Sequence, residues 1–161
     1  MQRVSWRRIV VLLLPPLAIL TAIVYLGAPA GLAGSTRCLP FVGPRVALDP
    51  TLAPSERALA AAHEAAHAAQ CRDQGAVRNY TLRLTRAGRL SAELGAYCAE
   101  GRAALQLGQR ADLIVTRVLD ELEEGYPWFR GTPRAAFLAE LRHACPDLVA
   151  RADLSGARPI T

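Results

Sequence analysis

Apolar residues are unevenly spaced along this chain, and each change of spacing marks a different element. Ile9 to Gly27 is an unbroken run of 19 apolar or neutral positions, and no charge appears between Arg8 and Arg37. That length is close to the roughly 17–25 residues that cross a hydrocarbon core as a helix. Arg3, Arg7 and Arg8 precede the run and no basic residue closely follows it, which orients the N-terminus inward and the remainder outward. Two forms of this signal fit. Ala28-Pro29-Ala30 has the small-x-small shape of a signal-peptidase site, with a Pro that disfavours cleavage. The length of the run favours an uncleaved anchor, kinked at Pro15-Pro16. Residues 1–34 therefore read as a signal anchor or signal peptide. Residues 35–161 read as one extracytoplasmic (periplasmic) domain, membrane-anchored or secreted.

Beyond residue 34 the pattern becomes mixed. Residues 35–54 are punctuated by Pro40, Pro44, Pro50 and Pro54 and predict an irregular lead-in, with one short extended piece at Arg45–Leu48. From Ser55 to Arg72 the chain has eight Ala and no Gly or Pro, which predicts a helix capped by Ser55, with Glu56 in its first turn and Gly75 near its end. Asn79 to Thr85 alternates Tyr80, Leu82 and Leu84 with polar residues, the period of a half-buried strand. Ser91 is the expected cap of a second helix reaching Leu107. A third helix is expected from Asp112 to Glu124, with Leu113, Ile114, Val118, Leu119 and Leu122 on one face. Tyr126-Pro127-Trp128-Phe129 reads as an aromatic loop. A fourth helix opens at Thr132-Pro133 and runs to His143. The fold class that results is mainly α with a small β component.

Composition adds three constraints. All 19 basic residues are Arg, so a lysine Schiff base and a Walker A lysine are excluded. The formal charge of +5 is concentrated at the N-terminus: residues 31–161 hold 16 Arg against 14 acids. A nucleic-acid module would keep a one-sided basic patch in its folded part, so no nucleic-acid partner is expected. Cys38, Cys71, Cys98 and Cys145 all follow the apolar run. In an oxidising compartment they predict two disulfides, with three possible connectivities.

Chemistry enters with His63-Glu64-Ala65-Ala66-His67. Side chains four apart on a helix share a face, so both imidazoles can reach one Zn2+. Glu64 lies about 100° around the helix, where it can act on water as the general base. A catalytic zinc also needs a third protein ligand and an open position. Glu93, after the predicted strand, is the best candidate. Glu100, two turns further along the same face, is a weaker one. The alternatives are bland: two solvent-facing His on an Ala-rich helix, and a Glu93 that merely meets a helix dipole.

The stretch from His63 to Gln70 resembles the HExxHxxQ helix of a group of neutral zinc metallopeptidases that is gluzincin-like. Glu93-Leu94-Gly95-Ala96-Tyr97-Cys98-Ala99-Glu100-Gly101 is similar to that group's second signature, ELxADCxxG, at Glu93, Leu94, Ala96, Cys98 and Gly101. The resemblance covers residues 60 to 101. It implies a zincin-like domain, His63, His67 and Glu93 as zinc ligands, and Glu64 as the general base. The chain departs from the group at Tyr97, where the group has an Asp that orients a ligand His. Tyr97 could take that part through its hydroxyl. Gln70 could brace the site, and His143 could steady an oxyanion if the fourth helix closed over the metal.

The expectation is thus an enzyme: a membrane-anchored or secreted zinc metallopeptidase that hydrolyses peptide or protein substrates. The rival is a catalytically weak or inactive zincin-like scaffold at the membrane surface. An intramembrane protease is disfavoured, because Glu56, Arg57, Arg72 and Asp73 flank the HExxH helix.

Overall fold

The computed structural model describes residues 33–152. The predicted N-terminal membrane helix and the last nine residues lie outside the described residues. Among the described residues, no helix is long and apolar enough to cross a membrane.

The chain is mainly helical with one two-stranded sheet. Strands β1 (Gly34–Leu39) and β2 (Gly43–Leu48) form an antiparallel hairpin in which Thr36 faces Val46 and Arg37 faces Arg45. The irregular lead-in of the sequence reading is therefore a hairpin, and Arg45–Leu48 is most of its second strand. Helix α1 (Pro54–Arg83) follows, then α2 (Arg86–Gln106), α3 (Ala111–Asp120), a π-helical turn (Glu121–Gly125), a 3-10 turn (Pro127–Phe129), α4 (Arg134–Ala144) and α5 (Pro146–Ala150). The hairpin lies on α1, and α1 packs along α2.

Helix α1 begins two residues earlier than expected, with Ala53 and not Ser55 at the cap position. Pro54 occupies its first position, where a missing N–H costs nothing, and the Glu56 carboxylate accepts from the Ala53 N–H at 3.1 Å. Gly75 takes φ 71° and ψ 160°, a region open essentially to glycine, and bends α1 sharply there.

The predicted strand at Asn79–Thr85 is wrong: residues 76–83 are helical and run on from the bend. Tyr80, Leu82 and Leu84 are exposed, so their alternation serves no sheet face. A period-2 run needs a partner strand, and the only described strands are paired with each other. Consequently α2 starts at Arg86, where the Thr85 hydroxyl accepts from the Gly88 N–H at 3.0 Å, and not at Ser91. Helix α3 stops at Asp120 and continues as the π turn. Its buried face holds Ile114, Val115, Val118 and Leu119, while Leu113 points to solvent.

Phe129, Phe137, Ile114, Leu122, Leu141 and Leu148 fill the core between α2 and the C-terminal helices. One disulfide, Cys98–Cys145, crosses that core; the other, Cys38–Cys71, fastens β1 to α1. Cys38 sits close to the hairpin turn, so the first bridge holds that end of the ribbon to α1, and the second ties α2 to the end of α4.

Candidate metal centre

Helix α1 presents His63 and His67 one turn apart, and α2 presents Glu93 to both. The Glu93 Oε2 atom is 3.6 Å from His63 Nε2 and 3.4 Å from His67 Nε2, and one ligand atom from each residue lies within 4.8 Å of the others. Three ligands each about 2.1 Å from a tetrahedral centre stand about 3.4 Å apart, so the spacing suits one small cation. The donor chemistry, two imidazole nitrogens and one carboxylate, also fits zinc. Because α2 starts at Arg86, Glu93 sits two turns inside the helix, and a dipole contact at its N-terminus does not account for its position.

The outer ring nitrogens have partners that turn the inner ones toward Glu93. His63 Nδ1 donates to Glu100 Oε2 at 3.0 Å, and Arg117 Nη2 donates to Glu100 Oε1 at 2.8 Å. His67 Nδ1 lies 3.0 Å from Gln70 Oε1. The Gln70 amide is set by its other end, since Nε2 donates to the Ala92 carbonyl at 2.9 Å. A carbonyl cannot donate, so the amide oxygen must face His67, which leaves Nε2 as that ring's lone-pair nitrogen. Gly95 allows this arrangement: a Cβ there would stand 2.9 Å from Gln70 Nε2. Burial pulls the His63 pKa down, but Glu100 and Glu93 outweigh it and raise it to about 9. Burial alone would raise the Glu93 pKa, yet the two imidazoles and the Tyr126 hydroxyl hold it well below the usual carboxylate range.

Glu64 is buried and faces β1. The Thr36 hydroxyl donates to Glu64 Oε2 at 2.6 Å and lies 3.0 Å from the Glu64 carbonyl oxygen. A Cβ on Gly34 would stand 2.7 Å from Glu64 Cγ, so glycine is what lets the strand come this close. His63 and Glu64 line a cleft of about 370 Å³, together with Gly34, Tyr97, Arg117 and Tyr126. Glu93 and His67 are not part of this lining.

The remaining expected residues divide. Gln70 braces His67. Tyr97 stacks its ring edge-on to His63, with centroids 4.8 Å apart, but its hydroxyl donates to Glu121 Oε2 at 2.8 Å and does not bond either imidazole. Burial is the main reason its pKa is raised far above the ordinary phenol value. Glu100, set aside in the sequence as a weak ligand, orients His63. His143 is exposed on α4 and lines no part of the cleft. Helix α4 packs on α2, α3 and α5, not over the cluster, which removes the geometry that an oxyanion role requires.

Two neighbours carried no local signal. Tyr126 donates to Glu93 Oε2 at 2.9 Å, from 33 residues away; only the π turn delivers it there. Arg83 Nη2 lies 2.9 Å from His67 Nδ1, and Arg83 Nη1 lies 3.8 Å from Glu93 Oε1. Arg83 and Gln70 make opposite demands on His67 Nδ1, one needing a lone pair and the other a proton. The Ala92 bond fixes Gln70, so the proton belongs on Nδ1, and the Arg83 charge is drawn to Glu93.

No protein-family model matches the chain, and comparison with curated proteins and with solved structures finds no match.

Proposed function

We propose that this chain is a zinc-dependent peptide hydrolase of the HExxH type, tethered to or secreted across a membrane. The observation that carries the reading is the convergence of His63, His67 and Glu93 from two helices, with Glu64 and His63 together lining a cleft. His63 Nε2, His67 Nε2 and a Glu93 oxygen would hold the cation. When bound, zinc supplies Lewis acidity, polarising a carbonyl and acidifying water. Glu64 is the proton carrier: its carboxylate takes a proton from water and returns it to the departing amine. Thr36 holds that carboxylate at the base of the cleft, and Glu100 and Gln70 keep both imidazoles in the ligating tautomer. The Tyr97 and Tyr126 rings wall the cleft, where one residue of an extended peptide fits.

A second reading has its own support. Tyr126 and Arg83 give Glu93 a full set of protein partners, as expected of a polar scaffold that needs no metal.

Metal analysis and peptide hydrolysis by the full chain, purified with its disulfides formed, separate the two. The hydrolase reading expects about one zinc per chain in the wild type, loss of metal in His67→Ala and in Glu93→Ala, and retained metal in Glu64→Gln with hydrolysis reduced at least about a hundredfold. Stoichiometric metal in both ligand variants, or wild-type hydrolysis by Glu64→Gln, would reject it.

A further inference from the structure

The hairpin ends in Pro40, Phe41 and Val42, and this tip is shaped for something outside the domain. Phe41 is fully exposed at 109% and Val42 is 54% exposed. Phe41 also holds φ 63°, the left-handed region that bulky side chains disfavour and that glycine or asparagine would fill more easily. An aromatic ring in water on a strained backbone serves no contact within the fold. Such a residue at a turn points to an external role.

Charge narrows the partner. Residues 33–48 carry Arg37 and Arg45 and no acid. The two arginines are directly opposed in the register. Side chains alternate along a strand, and Cys38 is the one bonded to Cys71 on α1, so Arg37 and Arg45 lie on the face turned away from the helix. The ribbon therefore has an apolar aromatic tip and a basic outer face.

Chain length supplies the geometry. Six residues, 28 to 33, separate the apolar run ending at Gly27 from β1. Fully extended they reach about 20 Å. From base to tip, β1 itself measures about 17 Å. A bilayer holding the run is thus within reach of the tip.

We propose that the hairpin tip docks on an anionic bilayer surface, with Phe41 and Val42 entering the interface and Arg37 and Arg45 meeting lipid phosphates. Aromatic rings favour that depth, and each basic side chain near an anionic leaflet adds attraction. Two apolar side chains would bind a membrane weakly from solution. The tether makes the encounter intramolecular, so weak insertion is enough. The base of the same hairpin holds Glu64 through Thr36 and Gly34, so docking sets the cleft at a fixed height above the lipid. The proposal rests on the reading of Ile9–Gly27 as an uncleaved anchor and is independent of the metal reading.

Tryptophan quenching in vesicles tests it on the full chain. The sequence has two tryptophans, Trp6 and Trp128. Trp128→Phe leaves a ring for Arg89, whose guanidinium stacks 4.0 Å from the Trp128 centroid, and makes Trp6 the sole reporter of the anchor. Adding Trp6→Phe and Phe41→Trp places the sole reporter at the tip. Each protein is reconstituted in phosphatidylcholine vesicles with and without phosphatidylglycerol, using lipids brominated in the acyl chain. Docking predicts blue-shifted emission at position 41 and a roughly twofold loss of it to bromine, stronger with phosphatidylglycerol and weakened by Arg45→Gln. Quenching of Trp6 with aqueous, unquenched emission at 41 overturns the docking and keeps the anchor. Absence of quenching at both positions overturns both. Blue-shifted but unquenched emission at 41 means that a protein surface covers the tip, and this too overturns the lipid assignment.

Discussion

Glu100 accepts the His63 Nδ1 proton at 3.0 Å and is itself held by Arg117 at 2.8 Å, whereas the Tyr97 hydroxyl turns to Glu121. Only a group bonded to an imidazole can fix its tautomer, so the two residues separate in a titration. Glu100→Gln is expected to weaken zinc binding by about 10- to 100-fold, the usual cost of removing a partner of a ligand histidine. Tyr97→Phe keeps the ring against His63 and should change the affinity by less than about threefold. Competition with a chromophoric chelator measures both, and equal losses would remove Glu100 from its orienting role. The resemblance pointed at position 97 because the group carries its orienting Asp there, one turn after Glu93. Seven residues make two turns, so Glu100 shares that face as well, about 10 Å further along. That offset argued against a ligand and suits a residue reaching the far nitrogen of the ring.

Helix α1 shows how one residue redirects an element. Arg83 stands 16 residues after His67 and would be about 24 Å away on a straight helix. It lies 2.9 Å from the ring because the chain folds back at Gly75. The Asn79 side chain, buried in this bend, donates to Gln74 Oε1 at 3.1 Å and joins the two limbs. No atom within 4 Å would meet a Cβ on Gly75, so the cost of a side chain there is purely conformational. Gly75→Ala should destabilise the protein by about 1–3 kcal/mol in denaturant melts. It should also draw Arg83 away from Glu93, raising zinc affinity a few-fold as a competing positive charge is withdrawn. A stable variant with unchanged affinity would show that the bend is incidental. The Ala-rich segment and Gly75 mark the helix and its break in the sequence. The helical course of residues 76–83 does not show there, since their alternation fits a strand equally well until the absence of a partner strand is known.

Over the whole molecule, the cluster links stability to protons and metal. Folding raises the His63 pKa from 6.5 to about 9, so its contribution is complete below pH 6.5 and disappears as pH rises through 9. Folding lowers the Glu93 pKa, so its contribution is present above 4.5 and is lost in acid. The two shifts describe one set of contacts and are not summed. The metal-free chain should be most stable between about pH 4.5 and 6.5 and lose on the order of 3 kcal/mol by pH 9.5, read from urea midpoints with a chelator present. Saturating zinc replaces the His63 proton, so the alkaline loss should vanish. At a hundredfold excess over Kd the metal adds about 2.7 kcal/mol, or roughly 10 °C in Tm. A flat pH profile without metal would contradict the ion-pair account, and an unmoved Tm would contradict the metal centre.

Local rules determined much by themselves. Helical spacing alone places His63 and His67 on one face, composition makes α1 a helix, and charge asymmetry sets the expected orientation across a membrane. Those features depend on neighbours within a few residues, where backbone geometry is already decided. Tertiary structure decided which acid meets the imidazoles, which acid orients them, the pairing Cys38–Cys71 and Cys98–Cys145, and the arrival of Thr36, Arg83 and Tyr126 at the cluster. Each of those contacts joins residues from separate turns, strands or helices. Their distance is set by how α1, α2 and the hairpin pack, and no periodicity along the chain encodes it.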